Sequence, residues 1–320
     1  MNSIKLTREQ DISTYDLPDG LKEVMQMSRA LGRPLLLAGQ PGTGKTQFAH
    51  WYALQHTQEF NKEVFQFDTK SSSQFTDLFY NYDAVSHFRN KDEQKDIADF
   101  IVLTALGKAI ICAKYASEAT AIDDLDVFMK KVLRNSFREV PLGQLKKNSV
   151  VLIDEVDKAP RDFPNDLLNE IENLCFTIRE IDATIQLNDA QKQMIVIILT
   201  SNDEKSLPDA FLRRCLFFYI NFFERSKLEQ IIVKKLSVTP AALKDKLDFF
   251  YIISNSPEIT KKPSTSECID WINYLKQHDL QQQKVSAKND SLVYSLSILL
   301  KRKDDLDAAM RILARVEAAH

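Results

Sequence analysis

Short apolar runs alternate with amphipathic stretches over the first two thirds of the chain. Continuous apolar runs at 34–38, 150–153 and 194–200 are typical of strands that are buried on both faces of a parallel sheet. Two further strands are predicted at 63–67 and 216–220. Apolar residues at helical spacing fill the intervals and predict helices at about 18–31, 45–55, 105–115 and 166–174. The pattern therefore predicts an α/β fold in which flanking helices cover a five-stranded parallel sheet.

The pattern changes after residue 223, where the short apolar runs cease. Only helical spacing follows, at 226–236, 241–255, 264–278 and 291–319, with loops at 256–263 and 277–290. We therefore expect two domains: an α/β domain over 1–223 and a smaller all-helical domain over 224–320.

Three segments of the first domain carry patterns of their own. Aromatic residues are dense over 71–90, which predicts a partly helical segment. Over 121–138 the apolar residues have helical spacing, with charged residues on the other face. This favours a helix that faces the core, and a helix that binds a partner is the alternative. Alternating residues over 176–187 predict a β-hairpin.

Composition narrows the class of protein. The contents of 44% apolar and 27% charged residues are those of a folded chain, and the net charge of −3 disfavours nucleic acid as a partner. No apolar run approaches the roughly 20 residues that span a bilayer, and the amino terminus has no signal-peptide core. We therefore expect a cytoplasmic protein with no membrane partner. The cysteines lack zinc-site spacing and are expected to be reduced, mostly buried thiols: Cys112, Cys175, Cys215 and Cys268.

Glycine is rare in this chain, yet three of the seven glycines fall within one short loop. The loop matches the pattern G-x-x-x-x-G-K-[ST], between a predicted strand and a predicted helix. Its backbone N–H groups and the helix N-terminus suit phosphate oxygens. Lys45 would reach the β- and γ-phosphates, and Thr46 would ligate Mg²⁺. The predicted nucleotide-binding residues of this loop are Gly39, Gln40, Pro41, Gly42, Thr43, Gly44, Lys45 and Thr46.

Two carboxylates end the apolar strand predicted at 150–153. Ligands of open α/β sheets bind at the carboxyl ends of the strands, so Asp154 and Glu155 should face the phosphate loop. Asp154 suits the Mg²⁺ shell of a bound nucleotide, through water, and Glu155 suits the role of general base toward the attacking water. The alternative is an ordinary solvated strand end. The preceding phosphate loop favours the functional interpretation.

Two further polar features follow. Asn202 comes after the strand predicted at 194–200 and could bind the attacking water or the γ-phosphate, although asparagine is also a common turn residue. Arg213 and Arg214 precede the last strand. They could be surface charge, a structural ion pair, or an arginine finger that stabilises transition-state charge on a neighbouring subunit's nucleotide.

The order and spacing of these elements, followed by a helical domain, resemble those of the AAA+ ATPases. The resemblance makes Lys45 the Walker A lysine, and Asp154 with Glu155 the Walker B pair. It makes Asn202 the sensor-1 residue and Arg214 the arginine finger, with Arg213 as an additional arginine. Within that family, the segments 153–160 and 207–215 look like those of the MoxR type.

The resemblance implies a P-loop NTPase sheet with a helical lid, and ATP with Mg²⁺ as the ligands. It further implies a homo-oligomeric ring, usually a hexamer, that hydrolyses ATP to remodel a partner protein as a chaperone does. MoxR-type ATPases act with proteins that carry a von Willebrand factor A domain. They also carry an insert in helix 2 and a hairpin before the sensor-1 strand, for which 71–90 and 176–187 are the candidates.

Two segments depart from the family's pattern. Many lids place a sensor-2 arginine at the start of a helix, but 261–267 contains no arginine. Lys262 is the candidate substitute, although lysine cannot make the forked contact of a guanidinium. The stretch 115–140 matches no core element of the family.

Other functions compete with a remodelling motor. A nucleotide-gated switch would assemble with ATP and recruit a partner while hydrolysing slowly, for example in a defence system. A small-molecule kinase on a phosphate-loop fold is disfavoured by the Asp154/Glu155 pair and the helical domain. A nucleic-acid motor is disfavoured by the charge balance.

Overall fold

The computed structural model describes residues 12, 15–89, 95–116, 125–138, 140, 142–202 and 205–318. These residues form two compact units. One unit contains 17–38 and 45–219, and the other contains 39–44, 220–318 and the described residues before 17. Among the described residues, no helix combines the length and apolarity needed to cross a membrane.

A five-stranded parallel sheet forms the centre of the α/β unit, which confirms the predicted fold class. Its strands, numbered in chain order, are β1 (Leu35–Gly39), β2 (Phe65–Asp68), β5 (Ser149–Asp154), β8 (Ile195–Ser201) and β9 (Leu216–Ile220). Their order in the sheet is β2-β5-β8-β1-β9. Every residue of β1 and β8 is buried, as the continuous apolar runs predict.

The register of this sheet gathers the carboxyl ends of its strands at one edge. Asp68 pairs with Asp154, Ile153 with Leu199, and Ala38 with Ser201. The polar residues that end the strands are therefore neighbours, although they are far apart in sequence.

Helices cover this sheet, and the apolar side chains of one of its faces, among them Leu36, Val151 and Leu199, belong to the main apolar core of the unit. The helices predicted at 45–55 and 105–115 are confirmed with the same bounds. The helices of the unit are α1 (Leu21–Leu31), α2 (Lys45–Gln55), α3 (Ala84–Arg89), α4 (Ala105–Tyr115), α5 (Val127–Ser136), α6 (Phe163–Asn173), α7 (Asp189–Lys192) and α8 (Asp209–Leu212).

Two small antiparallel ribbons add to the unit. The hairpin predicted over 176–187 is confirmed as β6 (Cys175–Ile178) and β7 (Ala183–Gln186). The segment 71–90 is more varied than predicted: before α3 it contains β3 (Tyr80–Tyr82), which pairs with β4 (Ile101–Leu103). Each of these strands has three residues, too few for an alternating pattern to be recognised. Position 90 of that segment lies outside the described residues.

Helix α5 faces the core, as the pattern over 121–138 favours. Its buried residues Met129, Val132 and Leu133 belong to the main apolar cluster, while Val127 and Phe128 are exposed. The first residues of the predicted helix, 121–124, lie outside the described residues.

The other unit is helical and has a separate core that includes the fully buried Trp271. Its helices are α9 (Arg225–Leu236), α10 (Pro240–Asn255), α11 (Thr265–Gln277), α12 (Asp290–Ser295) and α13 (Lys303–Ala318). The single helix predicted over 291–319 is wrong. Helix α12 ends at Ser295, a 3₁₀ turn follows at Leu296–Ile298, and α13 begins only at Lys303, while Leu299 and Leu300 between them are buried in the core.

All four cysteines are free thiols, and three of them are buried, as predicted. Burial raises the pKa of Cys112 and of Cys215 to about 12, so both remain protonated at neutral pH.

Candidate nucleotide-hydrolysis site

The phosphate loop has a backbone that requires glycine. Gly39, Gly42 and Gly44 have φ angles of 147°, 78° and 89°, which side chains disfavour. A Cβ atom at Gly39 would also lie 2.4 Å from the carbonyl oxygen of Ile220, and one at Gly42 would lie 2.7 Å from the Ser266 hydroxyl. The rest of the loop is held by the Thr43 hydroxyl, which donates to the Gln40 carbonyl at 2.8 Å. The glycine clustering is therefore explained by geometry.

The last two residues of the motif begin α2, beside the strand-end carboxylate. Lys45 is buried, with 5% of its surface exposed. The Thr46 hydroxyl donates to Asp154, with both carboxylate oxygens at 3.0 Å. The sequence placed these two residues 108 positions apart, and the fold brings them into contact. A hydroxyl and a carboxylate are oxygen ligands of the kind that Mg²⁺ prefers, so this pair fits that ion.

Thr200 joins the two carboxylate residues of the β5 end. Its hydroxyl donates to Oδ1 of Asp154 and accepts the backbone N–H of Glu155 at 2.8 Å. The side chain is fully buried at the end of β8. Sequence reasoning assigned no role to Thr200. Its polar character at a strand end was the available signal.

Glu155 turns sharply out of the strand. Its backbone is left-handed, with φ 56° and ψ 52°, which is uncommon for a residue with a side chain. Its carboxylate is held at both oxygens: the Asn202 amide donates to Oε1 at 2.8 Å, and the Lys158 ammonium donates to Oε2. The predicted base and the predicted sensor residue are therefore in direct contact.

Asn202 is fixed through its backbone as well. Its N–H donates to Oδ2 of Asp157 at 3.2 Å, and Asp157 is itself buried. Asp157 follows Glu155 by two positions, so one short segment positions both the main chain and the amide of Asn202. This arrangement is more specific than that of an ordinary turn asparagine.

The arginine pair lies elsewhere in the α/β unit. Arg214 lines a cleft of about 360 Å³ together with Pro34 and Ile195, which lie at the amino ends of β1 and β8. This is the sheet edge opposite Asp154. The Nε atom of Arg214 is 3.5 Å from Oε1 of Glu172. Arg213 is exposed and does not line the cleft.

Replacing Thr200 by valine should destabilise the protein more than replacing it by serine. Valine preserves the shape but leaves the Glu155 N–H without its acceptor and removes one of the two donors to Oδ1 of Asp154, at a cost of about 1–3 kcal/mol. Serine retains the hydroxyl. Thermal unfolding of the two variants beside the wild type measures the difference, and equal midpoints for valine and serine would show that the hydroxyl contributes nothing.

A family comparison agrees with this geometry. The AAA domain of the dynein-related subfamily matches residues 34–215, more than half of the chain. The chain belongs to this family. The matched range of this AAA protein begins just before β1 and ends just before β9, so it contains the phosphate loop, the carboxylates at the end of β5, Asn202 and Arg214. No curated protein matches the chain significantly.

Proposed function

We propose that this AAA protein is an ATP-hydrolysing remodelling ATPase of the MoxR type. The observation that carries the proposal is the unbroken series of contacts from Thr46 through Asp154 and Thr200 to Glu155 and Asn202. It joins a phosphate-binding loop, a cation-binding pair, a carboxylate base and an amide that can orient water. A structural ion-pair network would not need all four groups at one sheet edge.

Each group has a defined task in this proposal. Lys45 and the loop N–H groups bind the triphosphate of ATP. Thr46 and Asp154 hold Mg²⁺, which neutralises charge on the phosphate oxygens. Glu155 takes the proton of the attacking water, and Asn202 orients that water or the γ-phosphate.

Arg214 is proposed to act on the nucleotide of a neighbouring subunit. It lies at the sheet edge opposite Asp154, so its own chain offers no route to the phosphates within the α/β unit. A homo-oligomeric ring, with a hexamer as the expected form, would place it at the neighbour's site. We also propose the division into a nucleotide-binding domain over 1–223 and a helical lid over 224–320.

The assignment to the MoxR type and the proposed class of partner rest on resemblance. The segments 153–160 and 207–215 look like those of MoxR-type proteins, and the confirmed hairpin β6–β7 precedes the strand β8 as it does in that type. A protein that carries a von Willebrand factor A domain is therefore the proposed class of partner. The cytoplasm remains the expected compartment.

A second candidate is an ATP-gated recruitment switch with little hydrolysis of its own. The first turn of α11 favours it, because this turn lies against the phosphate loop at Gly42 and carries no cation. It carries Glu267 instead, which caps the helix by accepting the Ser264 N–H at 2.7 Å. A lid without a cation there would bind the γ-phosphate less tightly.

Replacing Lys45 by alanine should weaken binding of a fluorescent ATP analogue by about 100-fold or more, because it removes a charge-assisted contact to the phosphates. Lys22→Ala, which removes an exposed lysine of α1, is the matched control and should bind like the wild type. Since Lys45 is buried, the thermal unfolding of the variant should be measured beside the titration to show that it is folded. Unchanged affinity in a folded Lys45→Ala variant would contradict nucleotide binding at this loop.

Phosphate release by the wild type distinguishes the two candidate functions, the remodelling motor and the recruitment switch.

A further inference from the structure

We propose that Lys158 is the residue that positions Glu155 for hydrolysis. The inference rests on the proposed function, because it concerns the orientation of the proposed base. Lys158 follows Glu155 by three residues and ends the short 3₁₀ turn Val156–Lys158. Its ammonium donates to Oε2 of Glu155 and forms an ion pair with it.

The base needs such a partner because Asn202 holds only one of its two carboxylate oxygens. The Glu155 side chain is 36% exposed, and its left-handed backbone directs it away from the strand that anchors Asp154. A glutamate side chain with this exposure has several rotamers available, and holding one of them requires a contact on the carboxylate itself. Asn202 supplies one such contact at Oε1, and Lys158 supplies the second at Oε2.

Holding Oε2 decides which oxygen can accept a proton. With Oε2 engaged by Lys158, Oε1 is the oxygen that faces Asn202, at 2.8 Å from its amide nitrogen. A water that replaces this direct hydrogen bond and bridges the Asn202 amide and Oε1 would be oriented by the amide and deprotonated by the carboxylate. Lys158 thus acts through Glu155, without touching the reacting atoms.

The positive charge of Lys158 also helps to hold the Glu155 carboxylate in its orientation. Asp154, Glu155 and Asp157 place three carboxylates within four positions of the chain. Like charges at this spacing repel one another, and repulsion would drive the exposed Glu155 toward solvent. An ammonium on Oε2 offsets that repulsion.

The chain offers a matched control in Lys205. Its ammonium lies 3.4 Å from the Lys158 carbonyl and 3.5 Å from the Ala159 carbonyl, so it supports the same turn through the backbone. No contact of Lys205 with the Glu155 carboxylate occurs among the described residues. Lys205→Met therefore removes a lysine that contacts the turn from outside while leaving the ion pair between Glu155 and Lys158 intact.

The test compares Lys158→Met, Lys158→Arg and Lys205→Met by steady-state phosphate release and by binding of a fluorescent ATP analogue. We expect Lys158→Met to lower kcat by about three- to tenfold, the cost of a carboxylate that is held at one oxygen only, with unchanged affinity for the analogue. Lys158→Arg should recover most of the rate, and Lys205→Met should behave like the wild type. A wild-type or higher kcat in Lys158→Met would overturn the proposal.

A double variant shows whether Lys158 acts through Glu155. In the Glu155→Gln background the carboxylate is gone, so adding Lys158→Met should not lower the residual single-turnover rate further. The same three- to tenfold loss in that background would overturn the proposal, because the effect would then be one on the turn as a whole. Glu155→Gln at the wild-type rate would overturn the base assignment itself. Wild-type activity in Lys158→Met beside an inactive Glu155→Gln would overturn the role of Lys158 alone.

Discussion

Replacing Glu155 by glutamine is expected to stop ATP hydrolysis while leaving ATP binding intact. Glutamine keeps the shape of the side chain and an oxygen for the Asn202 amide, but it cannot take a proton from water. General-base catalysis contributes about 10²–10⁴ in rate, so the loss in phosphate release should fall in this range. A fluorescent ATP analogue measures binding by the same variant, and its affinity should equal that of the wild type.

Glu63→Gln is the matched control for this substitution. Glu63 is an exposed glutamate of the same unit that precedes β2, and its replacement should change neither binding nor turnover. Turnover by Glu155→Gln at the rate of this control would remove Glu155 from the mechanism. The contacts between Asp154, Thr46 and Thr200 would then describe a binding site without its base.

Replacing Arg214 by alanine is expected to reduce turnover by roughly 10³–10⁵-fold, the contribution of an arginine finger. Binding of ATP to the variant should persist, because Arg214 lies at the sheet edge opposite Asp154. The ion pair with Glu172 joins two half-exposed side chains, and its loss should cost no more than about 1 kcal/mol of stability. Phosphate release and analogue binding together separate a catalytic defect from a folding defect.

Arg213 is the natural control, since it is the adjacent arginine and does not line the cleft. Arg213→Ala should retain most of the turnover that Arg214→Ala loses. The opposite result, an inactive Arg213→Ala beside an active Arg214→Ala, would assign the finger to Arg213.

The parallel sheet could be predicted because each of its strands has a local sequence pattern that indicates a strand. The run that contains β1 is apolar throughout and borders a motif with fixed spacing, so strand, loop and helix α2 could be placed together. By contrast, β3 and β4 have three residues each and pair across a gap in sequence, so nothing local marks them. The turn between α12 and α13 falls within one run of helical spacing, so no local pattern marks it.

The candidate site likewise contains residues that could be predicted from the sequence and residues whose roles depend on the fold. Lys45, Asp154 and Glu155 belong to motifs whose residue types alone indicate their chemistry. The bridging role of Thr200 depends on the pairing of β5 with β8, which joins residues more than forty positions apart. The role of Lys158 depends on the left-handed backbone at Glu155, which turns the carboxylate back toward the following turn. Both features arise from the fold, and sequence reasoning therefore missed them.

We propose that two subunits together complete each site at which ATP is hydrolysed. Phosphate release from a mixture of Glu155→Gln and Arg214→Ala tests it most directly, with exchange shown separately by labelled subunits. A hybrid interface places an intact Glu155 beside a neighbour's intact Arg214, so we expect activity to reappear at a fraction of the wild-type rate. If subunits exchange and the mixture stays as inactive as each variant alone, the shared site is contradicted.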